Sequence, residues 1–183
     1  LSTENLGPAL GVFSSIFRRK HSIKTVGIQE INTWSGGNLS PTANSFGRVI
    51  QFFSKVIPHS NTKGVLGIDI GATNTTVAAS FNGNLKLNVI SDLGMGEGLK
   101  NVLQTSKIEE ILKWIPILLS KEKVVDYIQN KIIYPRSVPA TEQDLIIEHA
   151  LAKEVIRKAI SLSKPRFPKN VSRLSAYMLP YFD

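Results

Sequence analysis

Residues 65–80 read VLGIDIGATNTTVAAS: an apolar run, an aspartate and a glycine, then threonines at alternate positions leading into a second apolar run. A third run follows at residues 85–90, after the turn NGN. Short segments rich in Val, Ile and Thr, separated by Gly/Asn turns, predict a three-stranded antiparallel meander over residues 65–70, 76–81 and 85–90. The small and polar residues between the first two strands need a reason of their own. A strand that ends in Asp-x-Gly-x-Thr-x-Thr and turns back at once brings peptide N–H groups close to an anion. Gly71 permits close backbone approach and positive φ. Successive N–H groups make a concave nest, to which the Thr73 and Thr75 hydroxyls can add. Asp69, at the carboxyl end of the first strand, suits a hydrated magnesium ion, which keeps several waters and takes one or two carboxylates. A tight hairpin with an ordinary turn aspartate is the competing reading.

Outward from the meander, Phe46, Val49, Ile50, Phe53, Val56 and Ile57 recur at the spacing of one helical stripe, which Pro58 should end. WSGGNLSP, before it, marks a loop. Beyond Gly98 the pattern turns helical. Ser106 to Glu109 and Thr141 to Asp144 both fit a capping-box spacing, and the last long helix is expected to bury Leu145, Ile146, Leu151, Ala152, Val155, Ile156 and Ala159. LGMGEG, residues 93–98, reads as a flexible strand-to-helix connection or as a second anion loop, although Glu97 would repel phosphate.

Composition narrows the function classes. The chain has 183 residues, 42% hydrophobic and 20% charged, which fits one folded domain with an appendage rather than a disordered chain. It begins at Leu1, so a fragment of a longer protein is expected. Without cysteine, disulfide staples and thiolate metal sites are excluded, and a cytoplasmic location is the default expectation. The apolar run at residues 6–17 precedes its basic residues and is too short to span a bilayer, so neither a signal peptide nor a membrane segment is expected. The net charge of +8 is unevenly placed: residues 64–156 carry nine basic against eleven acidic side chains, whereas residues 157–173 carry six basic and no acidic ones. With no aromatic interleaving beyond Phe167, the basic stretch reads as a solvated linker and not as a nucleic-acid site.

GIDIGATNTT resembles the first phosphate motif of the actin-like ATPase superfamily. Taken in order with FGRVIQFFSKV, ILKWIP and DYIQNKIIYPRSVPATEQDLIIEHALAKEVIRKAI, it is similar to the glutamate mutase L (MutL-like) family, unrelated to the mismatch-repair protein of similar name. The resemblance covers residues 42–183 and leaves residues 1–41 as a segment of uncertain role. It implies an α/β fold: a ribonuclease-H-like, actin-type ATPase lobe whose mixed sheet is led by the meander, with a helical insertion over residues 99–162. It also implies an ATP-binding, chaperone-like accessory protein of adenosylcobalamin-dependent mutases. Asp69 would then be the magnesium-side carboxylate, with Gly71, Ala72, Thr73, Asn74 and Thr75 around the phosphates. The second phosphate loop and adenosine loop of that superfamily are not legible, so the isolated chain is expected to be inactive. The alternatives are a non-catalytic interaction module that keeps the fold, or a sugar or acid kinase lobe, which here lacks a recognisable substrate aspartate. An oligomer stays open.

The remaining candidates read as structural. His21, His59 and His149 have no metal-ligand spacing. Trp34 and Trp114 are expected to anchor a core. Asp126, Glu142, Asp144 and Glu148 are expected on solvated helix faces.

Overall fold

The computed structural model describes residues 12, 15, 16, 27–56 and 64–167. Most of the apolar run at residues 6–17, His21, Pro58, His59, Lys169 and Arg173 lie outside the described residues. The chain divides into two compact units, Leu1–Ser45 and Phe46–Asp183. In the first, helix α1 (Ile28–Trp34) buries no residue, and Trp34 is 80% exposed. The expected anchoring role of Trp34 is therefore corrected: α1 has no apolar face packed around the indole.

In the second unit, β1 (Gly64–Ile70), β2 (Thr75–Phe81) and β3 (Asn84–Ile90) form a sheet in the order β1-β2-β3, antiparallel throughout. The expected strands are each found within a residue of their ends. The expected mixed sheet is not: among the described residues no strand pairs in parallel. Four- and two-residue connections leave consecutive strands no alternative to antiparallel pairing. Asn82 and Gly83, with φ of 50° and 76°, make the two-residue turn between β2 and β3, and two successive positive φ values are what a type I′ hairpin demands.

The sheet has two covered faces, and β2 is buried along Thr75–Ser80. Register places Gly67, Ala78 and Leu87 on one face and Leu66, Ala79 and Lys86 on the other. Helix α2 (Thr42–Val56) lies against the first of these through its residues from Phe46 onward. A side chain at Gly67 would run into Ile50 and Phe46, and one at Gly47 would meet Leu85 at 2.9 Å, so two missing side chains set how closely helix and sheet approach. This rotates the expected stripe. Gly47 and Ile50 are buried, Gln51 donates to the Gly83 carbonyl at 2.7 Å, and the Ser54 and Ser80 hydroxyls bond at 2.6 Å. Val49, Phe53 and Val56, expected inside, are exposed.

The second face receives the helical region: α3 (Leu99–Thr105), α4 (Ile108–Leu112), α5 (Lys121–Ile133), α6 (Glu142–Ser163) and a short 3-10 turn (Lys164–Arg166). Val77 and Ala79 join Leu99, Val102, Ile111, Val124, Ile128, Ile147, Leu151 and Val155 in one core. Each of the larger of these side chains contributes roughly 1.5–3 kcal/mol by leaving water. Thr141 caps α6: its hydroxyl accepts from the Asp144 N–H at 3.1 Å, and the Asp144 carboxylate accepts from the Thr141 N–H at 3.0 Å. That capping box is as expected. The one at Ser106 is corrected, because α4 is preceded by Lys107 without a side-chain cap and the Ser106 hydroxyl turns inward.

The buried stripe of α6 is also rotated. Ile147, Ala150, Leu151, Glu154, Val155, Ala159 and Ser163 face the core, while Leu145 is exposed and Ile146, Ala152 and Ile156 are half-buried. Two polar positions go inside because each finds a partner; Ser163, for one, accepts from the Asn88 amide at 3.0 Å. Glu148, expected on a solvated face, instead pairs with the buried Lys131 at 2.7 Å and accepts from the Tyr127 hydroxyl at 2.9 Å. Burial first, and the Glu148 carboxylate second, push the Tyr127 phenol above its usual range. The basic segment read as a linker begins on α6, with Arg157 and Lys158, and Phe167 at its centre packs against Phe81, ring centroids 6.0 Å apart.

Candidate functional site

β1 delivers the chain to Ile70, and residues 71–74 reverse it before Thr75 opens β2. The Gly71 N–H donates to the Asn74 carbonyl at 2.9 Å and closes the turn. Gly71 does not have the positive φ anticipated for it. Its glycine is needed for space, since a Cβ would lie 2.9 Å from the Asn74 oxygen. Asp69, opposite Thr76 across the ladder, is exposed, as are Ala72, Thr73 and Asn74.

The loop at residues 93–98 holds this turn from one side. The Met95 N–H donates to the Gly71 carbonyl at 3.0 Å, and the Gly96 and Gly98 N–H groups donate to the Ala72 carbonyl at 2.8 and 3.1 Å. Both carbonyls are thereby satisfied. By contrast, the N–H groups of Ala72, Thr73 and Asn74 donate no hydrogen bond among the described residues. Three successive peptide donors at an exposed tip, fixed by bonds to the carbonyls between them, have the makings of an anion nest.

The glycines at alternate positions explain themselves here. A Cβ on Gly94 would stand 2.6 Å from the Gly71 and Ala72 oxygens, on Gly96 2.9 Å from the Ala72 side chain, and on Gly98 2.7 Å from the Thr73 oxygen. LGMGEG is thus the expected strand-to-helix connection and not a second anion loop, and its bare backbone docks on the turn. Its N–H groups at 95, 96 and 98 are spent on the turn and are not offered to a ligand. The spacing of glycines two apart after a strand was the available signal.

The candidate residues separate by what their side chains do. The Thr73 hydroxyl donates to the Glu97 carboxylate at 3.2 Å in an exposed contact. The Thr75 side chain is fully buried and its hydroxyl donates to the Leu93 carbonyl at 2.8 Å, so Thr75 ties the two loops together and presents no hydroxyl to a ligand. Asp69 stands as a single exposed carboxylate, and no group of three or more His, Cys, Asp or Glu among the described residues is placed to hold a metal. One carboxylate suits an ion that retains its water, as magnesium does.

A second polar centre lies away from the turn, and sequence spacing did not reveal it. Glu154 is 0% exposed. It accepts from the Ser106 hydroxyl at 2.7 Å, from Trp114 Nε1 at 3.4 Å, and from Arg157 Nε and Nη2 at 2.8 and 2.6 Å. Arg157 chiefly, against the opposing effect of burial and with help from Ser106 and Trp114, holds the carboxyl down at about 2. Trp114 is a partial anchor, its ring half open with Lys153 Nζ 5.9 Å from its centroid. No described helix is long and apolar enough to cross a membrane.

The family model described as MutL protein matches residues 1–172. It takes in residues 1–41, which the resemblance found by motif had left out. No curated protein and no solved structure matches the chain. With nearly its whole length matched, and with the ordered motifs that resemble the glutamate mutase L family, the chain belongs to the MutL protein family.

Proposed function

We propose that this chain supplies the phosphate-binding side of an ATP site, in an accessory protein of actin-like fold that serves an adenosylcobalamin-dependent mutase. The observation that carries the reading is the row of unspent N–H groups at Ala72, Thr73 and Asn74 beside the exposed carboxylate of Asp69. Peptide donors in such a row favour a polyanion without adding side-chain charge. Gly71 keeps the backbone bare at the approach, and the Met95, Gly96 and Gly98 bonds keep the donors aimed before a ligand arrives, which lowers the ordering cost of binding. Magnesium, when bound, offsets phosphate charge and orients the phosphate oxygens. Asp69 would hold it through water, and Glu97, engaged with Thr73, would sharpen the need for the metal by repelling bare phosphate. Membership of the MutL family supports the association with a mutase.

Calorimetric titration with ATP tests the reading. Binding should require magnesium, and Asp69→Asn should weaken it about tenfold or more, the worth of one hydrogen-bonded charge. Equal affinity in wild type and variant would remove Asp69 from the metal site. Absence of any binding would favour a non-catalytic interaction module on the same fold.

A further inference from the structure

A cavity of about 460 Å³ opens between the end of β3, α3 and the last turns of α6, with Ser91, Asn101, Thr105, Arg157, Lys158 and Ser161 in its lining. That volume is the size of a small-metabolite site. Its polar lining is dominated by groups that donate. Arg157 is held by two bonds to Glu154, which fixes its guanidinium and balances its charge. Lys158 has no such balance. Its Nζ donates to the Thr105 hydroxyl at 2.6 Å, that hydroxyl in turn donates to the Asn101 carbonyl at 2.6 Å, and no carboxylate lies within ion-pair distance of Lys158 among the described residues. Burial lowers its pKa, with Glu154 acting against that and Arg157 adding to it. An ammonium held by one neutral hydroxyl in an exposed contact still has two donors to offer a ligand. A single carboxylate, Asp92, also lines the cavity, on a residue with φ of 58°. With Arg157 balanced by Glu154, Asp92 stands against Lys158 alone, which disfavours a large polyanion, so neither nucleic acid nor a polyphosphate suits this space.

We infer that this cavity is a binding site for a small oxyanion, one phosphate or carboxylate group, with Lys158 as its charge partner and the Ser91 and Ser161 hydroxyls and the Asn101 amide as neutral donors. The site is distinct from the turn at residues 71–74 and does not depend on the nucleotide reading. Charged donors to an oxyanion make short, strong hydrogen bonds, and Glu154 would serve to position Arg157 beside them.

The test is a titration of the isotope-labelled chain followed by backbone amide shifts, at constant ionic strength, with inorganic phosphate in one arm and succinate in the other. Saturable shifts at Ser91, Leu93, Asn101 and Ser161 are expected in at least one arm, and which arm responds identifies the source of the oxyanion. Lys158→Gln should weaken that response about tenfold, while Lys123→Gln, an equal loss of charge on an exposed part of α5, should leave it unchanged. The proposal is overturned if neither ligand saturates these positions, if Lys158→Gln binds as wild type does, or if Lys123→Gln weakens binding equally. Shifts confined to Ala72, Thr73 and Asn74 would place the anion in the turn instead and also overturn it.

Discussion

Glu154 is charged, wholly enclosed and held by three different side chains, so the fold depends on its ionised form. Its carboxyl titrates at about 2 in the folded chain against an ordinary value of 4.5. A depressed folded value adds stability that is fully present above pH 4.5 and is lost as pH falls from there toward 2. Urea unfolding of the wild type across that window should show the loss. Glu154→Gln, which keeps the shape without the charge, should flatten this pH dependence and cost roughly 3 kcal/mol at neutral pH, because Arg157 loses its partner and Ser106 and Trp114 keep a weaker one. A variant as stable as wild type at neutral pH, or one with the same acid profile, would show that the pairing does not hold the helices together. Capping-box spacing pointed Ser106 at Glu109. The choice of Glu154 needed a residue 48 positions away, which no local pattern encodes.

At the level of elements, the turn and the glycine loop form one unit through four short-range constraints: the Met95, Gly96 and Gly98 N–H bonds and the buried Thr75 hydroxyl on Leu93. Their backbones approach too closely for any side chain between them. Gly98→Ala would place a methyl group 2.5 Å from the Gly94 nitrogen and 2.7 Å from the Thr73 oxygen, both backbone atoms with little freedom to yield. We expect a cost of about 1–3 kcal/mol in urea unfolding, with amide shifts concentrated at residues 71–74 and 93–98. Full stability with unchanged shifts would mean that the loops are not locked. The hairpin at Asn82 and Gly83 was legible from sequence because its turn chemistry is local. The docking of two loops 20 residues apart was visible only as an unexplained excess of glycine.

On the scale of the whole molecule, in-line attack on a terminal phosphate needs a positioned water, a metal bridging the phosphates and donors that take up spreading charge, in a site closed against solvent. On the proposed function the described residues would supply one side of such a site, at Asp69, Ala72, Thr73 and Asn74, all of which are exposed. The 183-residue chain should therefore release phosphate from ATP no faster than the background, while still binding it with magnesium. Turnover clearly above background in a phosphate-release assay, insensitive to Asp69→Asn, would show that chemistry resides elsewhere in the chain.

The meander, the Thr141 capping box and the polar turn were determined by the sequence itself, because each rests on residues close together in the chain, and the family resemblance was too, because the order of its motifs is a property of the sequence alone. Tertiary structure decided which helix faces are buried. Gly47 and Gly67 let α2 settle on a stripe carrying Gln51 and Ser54 in place of Val49 and Phe53, and α6 turned Glu154 inward because Ser106, Trp114 and Arg157 satisfy it there. Periodicity records how many apolar residues share a face. Whether a polar or empty position can join that face depends on partners that arrive only when distant segments pack, since a buried polar group is tolerated only when its hydrogen bonds are met.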